Sequence, residues 1–195
     1  MNTPIKRAPR RINKKTINEK TNLNKANLGM KLESMINKSN LYYLDRDIAV
    51  IHKKPTPIQI VKVDYPARNK AVIREAYYKT PSTTDYNGVY RGKYIDFEAK
   101  ETNSKALLPL ANIHPHQVKH LLNITKHGGI GFFIVSFKAF DEIYLAPFTE
   151  IYKNFYLVQK RKSIPYDYFK NNCYLIKISY NPELKYLDVV DEVFF

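Results

Sequence analysis

One apolar run constrains the fold more than any other feature of this chain. Residues 130–137 read IGFFIVSF and carry no charge, which is typical of a strand buried on both faces. The preceding HPHQVKHLLNITKHGG predicts a helix, because Pro115 suits a first helical turn and the pair Gly128 and Gly129 ends it. With the strands and helices predicted on either side, this order of elements indicates an α/β protein: a mixed central β-sheet flanked by helices.

Three further segments are predicted with less regular patterns. A helix is expected over residues 29–39, where Glu33 lies among apolar neighbours. Residues 53 to about 78 contain three prolines and read as an extended excursion that projects from the sheet. The pairs Asn87–Gly88 and Arg91–Gly92 both predict turns, so two short strands can pair around them.

The charge of the chain indicates a polyanionic partner. Among 195 residues, 32 Lys and Arg outnumber 18 Asp and Glu, giving a formal net charge of +14. Nucleic acid is the first candidate and an anionic membrane the second. A coding sequence rich in A and T is the competing explanation, since it would also enrich Lys, Asn, Ile and Tyr. Residues 1–26 concentrate basic side chains and are expected to form a flexible arm, with residues 27–195 as the folded domain.

Location is constrained by what the sequence does not contain. Cys173 is the single cysteine, so no disulfide can form within one chain, as suits a reducing compartment. No apolar run approaches the ~20 residues that a membrane-spanning helix needs. A cytoplasmic protein is therefore expected.

The stretch YIDFEAKET, residues 94–102, carries the chemistry. Alternation along a strand places Asp96, Glu98 and Lys100 on one face. Asp85 lies on the preceding segment and can fold back beside Glu98. Two converging carboxylates repel unless a cation lies between them, and a hard cation such as Mg²⁺ is suited to oxygen ligands. With Lys100 to stabilise charge on a phosphate, this is a candidate metal nuclease centre; a solvated hairpin face is the alternative. Glu-x-Lys alone is uninformative, because it recurs at residues 183–185.

Longer motifs resemble one family. The segments GMKLE, HKKPTPIQIV, STTDYNGVYRGKYIDFEAKET and HPHQVKHL are similar to the RecU family of Holliday junction resolvases. The resemblance covers nearly all of residues 27–146. That family belongs to the PD-(D/E)XK nuclease superfamily, whose fold is a mixed sheet flanked by helices. One departure from the superfamily pattern is that Thr84, rather than proline, precedes Asp85, as in other RecU members.

The resemblance implies a set of site residues. Lys100 matches the lysine taken as transition-state stabiliser, and Glu33 matches a further acid of related nucleases, so both are expected to be catalytic. The excursion of residues 53 to about 78 resembles the family's protruding stalk. Mg²⁺, or Mn²⁺ in its place, is expected at four residues: Thr83, Asp85, Glu98 and Gln117.

Two of these ligands are weakly supported by their own residue types. Gln117, near the start of its helix, can offer an amide oxygen or be an ordinary surface glutamine, and Thr83 alone would be read as turn chemistry. His116 and His120 share a helical face as a zinc pair would, but no third clear ligand accompanies them, which favours a polar surface.

Partners follow from the same reasoning. Four-way DNA junctions are the expected substrate, a homodimer would supply two opposed active sites, and a recombinase and a branch-migration motor are the partner proteins that the resemblance implies. A repair or restriction-type endonuclease and a non-catalytic DNA-binding protein remain as alternatives. Basic side chains expected to contact DNA are Arg10, Arg11, Lys62, Arg68 and Lys70.

Overall fold

The computed structural model describes residues 32–67, 69–79, 83–158 and 161–195. Its helices are α1 (Leu32–Leu44), α2 (Pro115–Lys126), α3 (Phe148–Ile151), α4 (Tyr166–Asn172) and α5 (Tyr186–Phe194). Its strands are β1 (Val50–Lys53), β2 (Ile58–Asp64), β3 (Val72–Tyr78), β4 (Tyr86–Tyr90), β5 (Lys93–Thr102), β6 (Leu107–Pro109), β7 (Ile130–Phe137), β8 (Glu142–Pro147), β9 (Ser163–Pro165) and β10 (Tyr174–Leu175).

A six-stranded mixed sheet forms the centre of the fold. Its order is β1-β4-β5-β7-β8-β10. Strands β5 and β7 pair in parallel, and the other neighbouring strands pair antiparallel. A parallel pair needs a crossover between its strands, and α2 lies within that crossover. All eight residues of β7 are buried, as its apolar run predicted.

Helices cover both faces of this sheet. On one face, Phe97 of β5 stacks between Tyr86 and Phe132, with ring centroids 4.9 and 4.7 Å apart, and Tyr186 of α5 packs against the same ring. On the other face, a core cluster joins α2, α3 and α4 to β7. The predicted mixed sheet flanked by helices is therefore confirmed.

Element boundaries agree in part with the sequence predictions. Helix α1 extends to Leu44, beyond the predicted end at residue 39, and residues 29–31 lie outside the described part of the chain. Helix α2 begins at Pro115 and ends at Lys126, just before Gly128, which adopts a positive φ of 81°.

The turn predicted at Asn87–Gly88 is wrong. Both residues lie inside β4, and the turn is formed by Arg91 and Gly92, which have φ values of 48° and 73°. Gly88 has a different role, because a Cβ there would lie 2.0 Å from the carbonyl oxygen of Val50. The role of this glycine is thus to allow β1 to pass close to β4, and it does not form a turn.

Strands β2 and β3 form a two-stranded antiparallel hairpin outside the central sheet. All seven residues of β3 and the first five of β2 are exposed, so neither face is packed against the body of the fold. This hairpin lies within the excursion predicted for residues 53 to about 78.

None of the helices in the described ranges is both long and apolar enough to cross a bilayer.

Candidate active site

An open cleft of about 630 Å³ lies where β4, β5 and the start of α2 meet. Strand β5 forms its floor, the segment after β1 forms one wall, and the segment before β4 forms another. It is lined by Glu33, Lys53, Lys54, Pro55, Thr56, Pro57, Thr83, Thr84, Asp85, Glu98, Ala99, Lys100, His114, Pro115, His116 and Gln117.

Asp85 and Glu98 lie side by side in this cleft. Tyr86 pairs with Phe97 in the antiparallel ladder of β4 and β5, so the residues that precede and follow them are brought opposite each other. The backbone amide of Asp85 donates a hydrogen bond of 3.1 Å to Oε2 of Glu98. The sequence expectation that Asp85 folds back beside Glu98 agrees with this geometry.

Glu98 is the most buried acid of the cleft, at 2% exposure. Its Oε1 accepts a hydrogen bond of 2.6 Å from Nε2 of Gln117 and lies 2.7 Å from Nζ of Lys100. These contacts bring one carboxylate, one amide and one ammonium together on the polar face of β5. That face is buried rather than solvated, which disfavours the solvated-hairpin alternative.

Burial and the nearby carboxylate of Asp85 disfavour the ionised form of Glu98. The pKa of its carboxyl is raised to about 7, chiefly by burial and next by the charge of Asp85, while the ammonium of Lys100 opposes the rise. A buried carboxylate beside a second acid is stabilised by a cation that neutralises both.

The two candidate ligands with weaker support, Thr83 and Gln117, also line the cleft, with orientations that the sequence did not predict. Thr83 is half-buried, and its hydroxyl donates to the carbonyl oxygen of Thr84. Gln117 presents its amide nitrogen to Glu98, whereas its Oε1 accepts a hydrogen bond from the backbone amide of His114. A cation at Glu98 would need the oxygen of Gln117 instead, so the amide would have to exchange its two ends and release His114.

Glu33 lies at the rim of the cleft. It belongs to the first turn of α1, its side chain is half exposed, and it forms an ion pair with Lys53. The structure therefore brings Glu33 to the same cleft as Asp85, but the carboxylate of Glu33 is paired with the ammonium of Lys53.

The donors in the cleft are suited to a hard cation. Within the described ranges, no group of three or more His, Cys, Asp or Glu side chains could hold a metal ion. Asp85 and Glu98 supply two carboxylates, and a hydroxyl and an amide lie close by. Mg²⁺ commonly binds through one or two carboxylates and keeps several waters, so this oxygen-rich pair fits Mg²⁺ better than Zn²⁺.

The two histidines of the zinc-pair alternative lie in different surroundings. His116 lines the cleft and stacks on His114, with centroids 5.4 Å apart. Burial, then His114 and Lys100, lower the pKa of His116. His120 instead lies 3.0 Å from Asp96.

The predicted DNA contacts are only partly within the described residues. Lys62 and Lys70 are both exposed, on β2 and on the connection that follows it. Arg10, Arg11 and Arg68, together with the arm of residues 1–26, lie outside the described residues.

Sequence reasoning assigned no role to Asp96, although it shares a face with Glu98. The structure places it beneath the cleft, where Lys54, Thr84 and His120 contact it. The available signal was its position two residues before Glu98 on the same strand.

Comparisons with known proteins identify the family. The model of the family RecU, Recombination protein U, matches residues 27–192.

The chain belongs to the RecU family.

Relatives from Staphylococcus aureus agree with this assignment. A protein named Holliday junction resolvase RecU from strain MRSA252 is 54% identical over 175 residues, covering 89% of this chain and 84% of the relative. Its namesake from strain JH9 is 53% identical with the same coverage. The RecU resemblance found in the sequence motifs is thus confirmed.

A solved structure was also matched. Hjc from Archaeoglobus fulgidus, described as a Holliday junction resolvase from an archaeal hyperthermophile, aligns with a TM-score of 0.38 and 11% identity. The alignment covers 67% of this chain and 85% of Hjc.

Proposed function

We propose that this chain is a Mg²⁺-dependent endonuclease that resolves Holliday junctions by nicking two opposed strands, in recombination and DNA repair. Resolvase activity follows from membership of the RecU family and from 53–54% identity to proteins of that name. One observation carries the chemistry: Asp85 and buried Glu98 lie side by side, with Lys100 2.7 Å from Glu98, in one open cleft.

Asp85 and Glu98 would hold the cation, with Thr83 and Gln117 completing its protein ligands. When bound, a divalent cation supplies neutralisation of phosphate charge and activation of a water. Glu98 is buried and is held by the backbone amide of Asp85 and by Lys100, so its position is fixed before DNA arrives, whereas Gln117 would turn its amide when the cation binds. Preorganised groups of this kind lower a reaction barrier because they need no rearrangement during the reaction.

Lys100 would stabilise the phosphate as charge gathers on its oxygens. Its ammonium lies in the cleft wall beside Glu98, where low exposure strengthens its field. Glu33 would act from the rim, once the incoming DNA draws Lys53 away from it.

The exposed hairpin of β2 and β3 would engage the centre of the junction. Its surface carries Lys62 and Lys70, and the aromatic rings of Tyr65, Tyr77 and Tyr78 are largely exposed. Lysines supply phosphate contacts, and exposed tyrosines can stack on unpaired bases.

Two opposed nicks require two active sites. A homodimer with two-fold symmetry matches the near two-fold symmetry of a four-way junction, so we infer that the chain acts as a dimer. A recombinase and a branch-migration motor are the partners that fit this task, and a chain acting on chromosomal DNA would work in the cytoplasm.

A cleavage assay tests the proposal. A labelled four-way junction and a linear duplex of the same sequence are incubated with the protein in Mg²⁺ or in EDTA. We expect paired nicks in opposed strands of the junction, in Mg²⁺ only. Asp85→Asn should reduce cutting to the EDTA level, whereas Asp141→Asn, the same change in an exposed turn, should not.

Other results would support the alternatives. Preference for the linear duplex would indicate a repair or restriction-type endonuclease. Tight junction binding without any cutting in Mg²⁺ would indicate a non-catalytic DNA-binding protein.

A further inference from the structure

Asp96 is a fully buried carboxylate, at 0% exposure, on the central strand β5. Its Oδ1 accepts a hydrogen bond from the hydroxyl of Thr84. Its Oδ2 is shared by Nζ of Lys54 at 2.8 Å, the hydroxyl of Tyr94 at 2.9 Å and Nε2 of His120 at 3.0 Å. Burial of an acid is costly unless such partners satisfy it.

The four partners come from different parts of the fold. Lys54 follows β1, Thr84 precedes β4, Tyr94 belongs to β5, and His120 belongs to α2. We call Asp96 and these four side chains the Asp96 cluster. Lys54 and Thr84 line the cleft but Asp96 does not, so Asp96 lies beneath the wall of the cleft.

The Asp96 cluster fixes the segment that carries Asp85. The hydroxyl of Thr84 is held by Asp96 and by Nζ of Lys54, at 3.0 Å from the latter. The backbone amide of Lys54 donates to the carbonyl oxygen of Asp85 at 2.7 Å. Asp85 therefore has its preceding side chain, its carbonyl and its amide all held by neighbouring elements.

A carboxylate suits this arrangement better than an amide does. Its two oxygens accept hydrogen bonds from four groups, and an ionised carboxylate is acceptor-only. An asparagine would turn its NH₂ group toward the hydroxyl of Thr84, which could then no longer donate to residue 96. It would also leave the ammonium of Lys54 without its counter-charge.

We propose that Asp96 is a positioning residue that sets the geometry of the metal site by locking Thr84 and, through it, Asp85; this rests on the proposed function of the cleft. The hydroxyl of Thr84 makes a contact that the proline of the superfamily pattern could not make. The departure at this position thus has a structural role.

Mn²⁺ binding to the metal-free full-length protein, without DNA, tests this inference by titration calorimetry. Asp96→Asn should raise the dissociation constant for Mn²⁺ roughly 10–100-fold, the usual effect of losing a residue that orients a metal ligand. Thr84→Val should also raise this dissociation constant. Thr84→Ser, which keeps the hydroxyl, should bind Mn²⁺ with parental affinity.

Non-additivity is the readout that a merely structural role would not produce. If Asp96 acts through Thr84, the double variant that combines Asp96→Asn with Thr84→Val should bind Mn²⁺ no more weakly than the single variant with the lower affinity. Glu142→Gln is the matched control, because Glu142 also accepts hydrogen bonds from two side chains, the hydroxyls of Tyr144 and Tyr166, but outside the cleft. It should leave Mn²⁺ affinity unchanged.

The outcomes separate this inference from the proposed function. Parental affinity in Asp96→Asn, or in Thr84→Val if Asp96→Asn does not fold, overturns the positioning role while the metal site stands. Absence of Mn²⁺ binding by the parent overturns the metal site and the positioning role together.

Discussion

The backbone amide of Asp85 donates a hydrogen bond to the buried carboxylate of Glu98 across 3.1 Å. This contact arises from the register of β4 and β5, in which Tyr86 faces Phe97. One ladder of hydrogen bonds therefore determines how close the two acids come. The proposed chemistry depends on that closeness, because a cation can only be shared by carboxylates that meet.

The metal-free protein should lose stability as the pH rises from about 4.5 to 7. The pKa of Glu98 is raised from 4.5 to about 7, so between these values the folded state binds more protons than the unfolded state, and stability falls with pH. At about 1.4 kcal/mol per unit, the loss is up to roughly 3 kcal/mol. Chemical denaturation at pH 5 and pH 8 measures it.

Glu98→Gln should flatten this dependence. In the parent protein, Mg²⁺ should restore at pH 8 the stability that ionisation of Glu98 removes. His116, whose pKa is lowered, contributes a slope of opposite sign, so the quantity to compare is the difference between parent and variant. An unchanged slope in Glu98→Gln would show that the Glu98 carboxyl is not the titrating group.

Lys100→Ala should reduce junction cleavage by roughly 10²–10³-fold, the usual effect of removing one group that stabilises transition-state charge. Junction binding in Ca²⁺ should change only a few-fold, since the variant removes at most one ammonium from the phosphate backbone. Because Lys100 opposes the rise in the pKa of Glu98, the pH profile of residual cleavage should move to higher pH. Single-turnover rates between pH 6 and pH 9 measure both effects on cleavage.

A matched control is Lys138→Ala, which removes a lysine paired with Glu101 at 2.7 Å. Glu101 follows Lys100 on β5, so its side chain points to the opposite face of the strand. Lys138→Ala should retain parental cleavage. Equal losses in both variants would argue against a special role for Lys100.

The exposed hairpin should contribute to junction affinity through its lysines. Replacing Lys62 and Lys70 with alanine should weaken junction binding and lower the slope of log affinity against log salt by about 1 for each phosphate that is no longer neutralised. Fluorescence anisotropy in Ca²⁺ over a salt series measures the slope. Lys170→Ala and Lys177→Ala, at exposed positions outside the hairpin, should leave the slope unchanged.

Phe97 should be a major contributor to stability, because its ring is fully buried between Tyr86 and Phe132. Phe97→Ala should lower the free energy of unfolding by about 3–5 kcal/mol, measured by denaturant titration. Tyr180→Ala, at a largely exposed aromatic ring, should change it by no more than about 0.5 kcal/mol. A small effect at Phe97 would mean that β4 and β5 are not held together by this stack.

Local patterns predicted the elements that build the site. The alternation of β5, the apolar run of β7 and the Pro115 start of α2 depend on neighbours in sequence, so each could be read directly. The pairing of Asp85 with Glu98 was also accessible, because a short turn forces adjacent strands together.

Contacts between distant segments could not be read in this way. The partners of Asp96 lie up to 42 residues away in the chain, and no periodicity connects Lys54 to that strand. The prediction of a turn at Gly88 was wrong for the same reason. Glycine is needed there because the backbone of β1 passes close by, and a local pattern does not show that contact. The amide orientation of Gln117 depends on His114 and Glu98 together.

The central claim is that Asp85 and Glu98 bind one divalent cation between them. A crystal structure with Mn²⁺, with anomalous differences recorded to locate the metal, tests this most directly. We predict an anomalous peak within bonding distance of both carboxylates, which is absent from crystals of Asp85→Asn. A peak elsewhere in the protein, or none between these two side chains at saturating Mn²⁺, would contradict the claim.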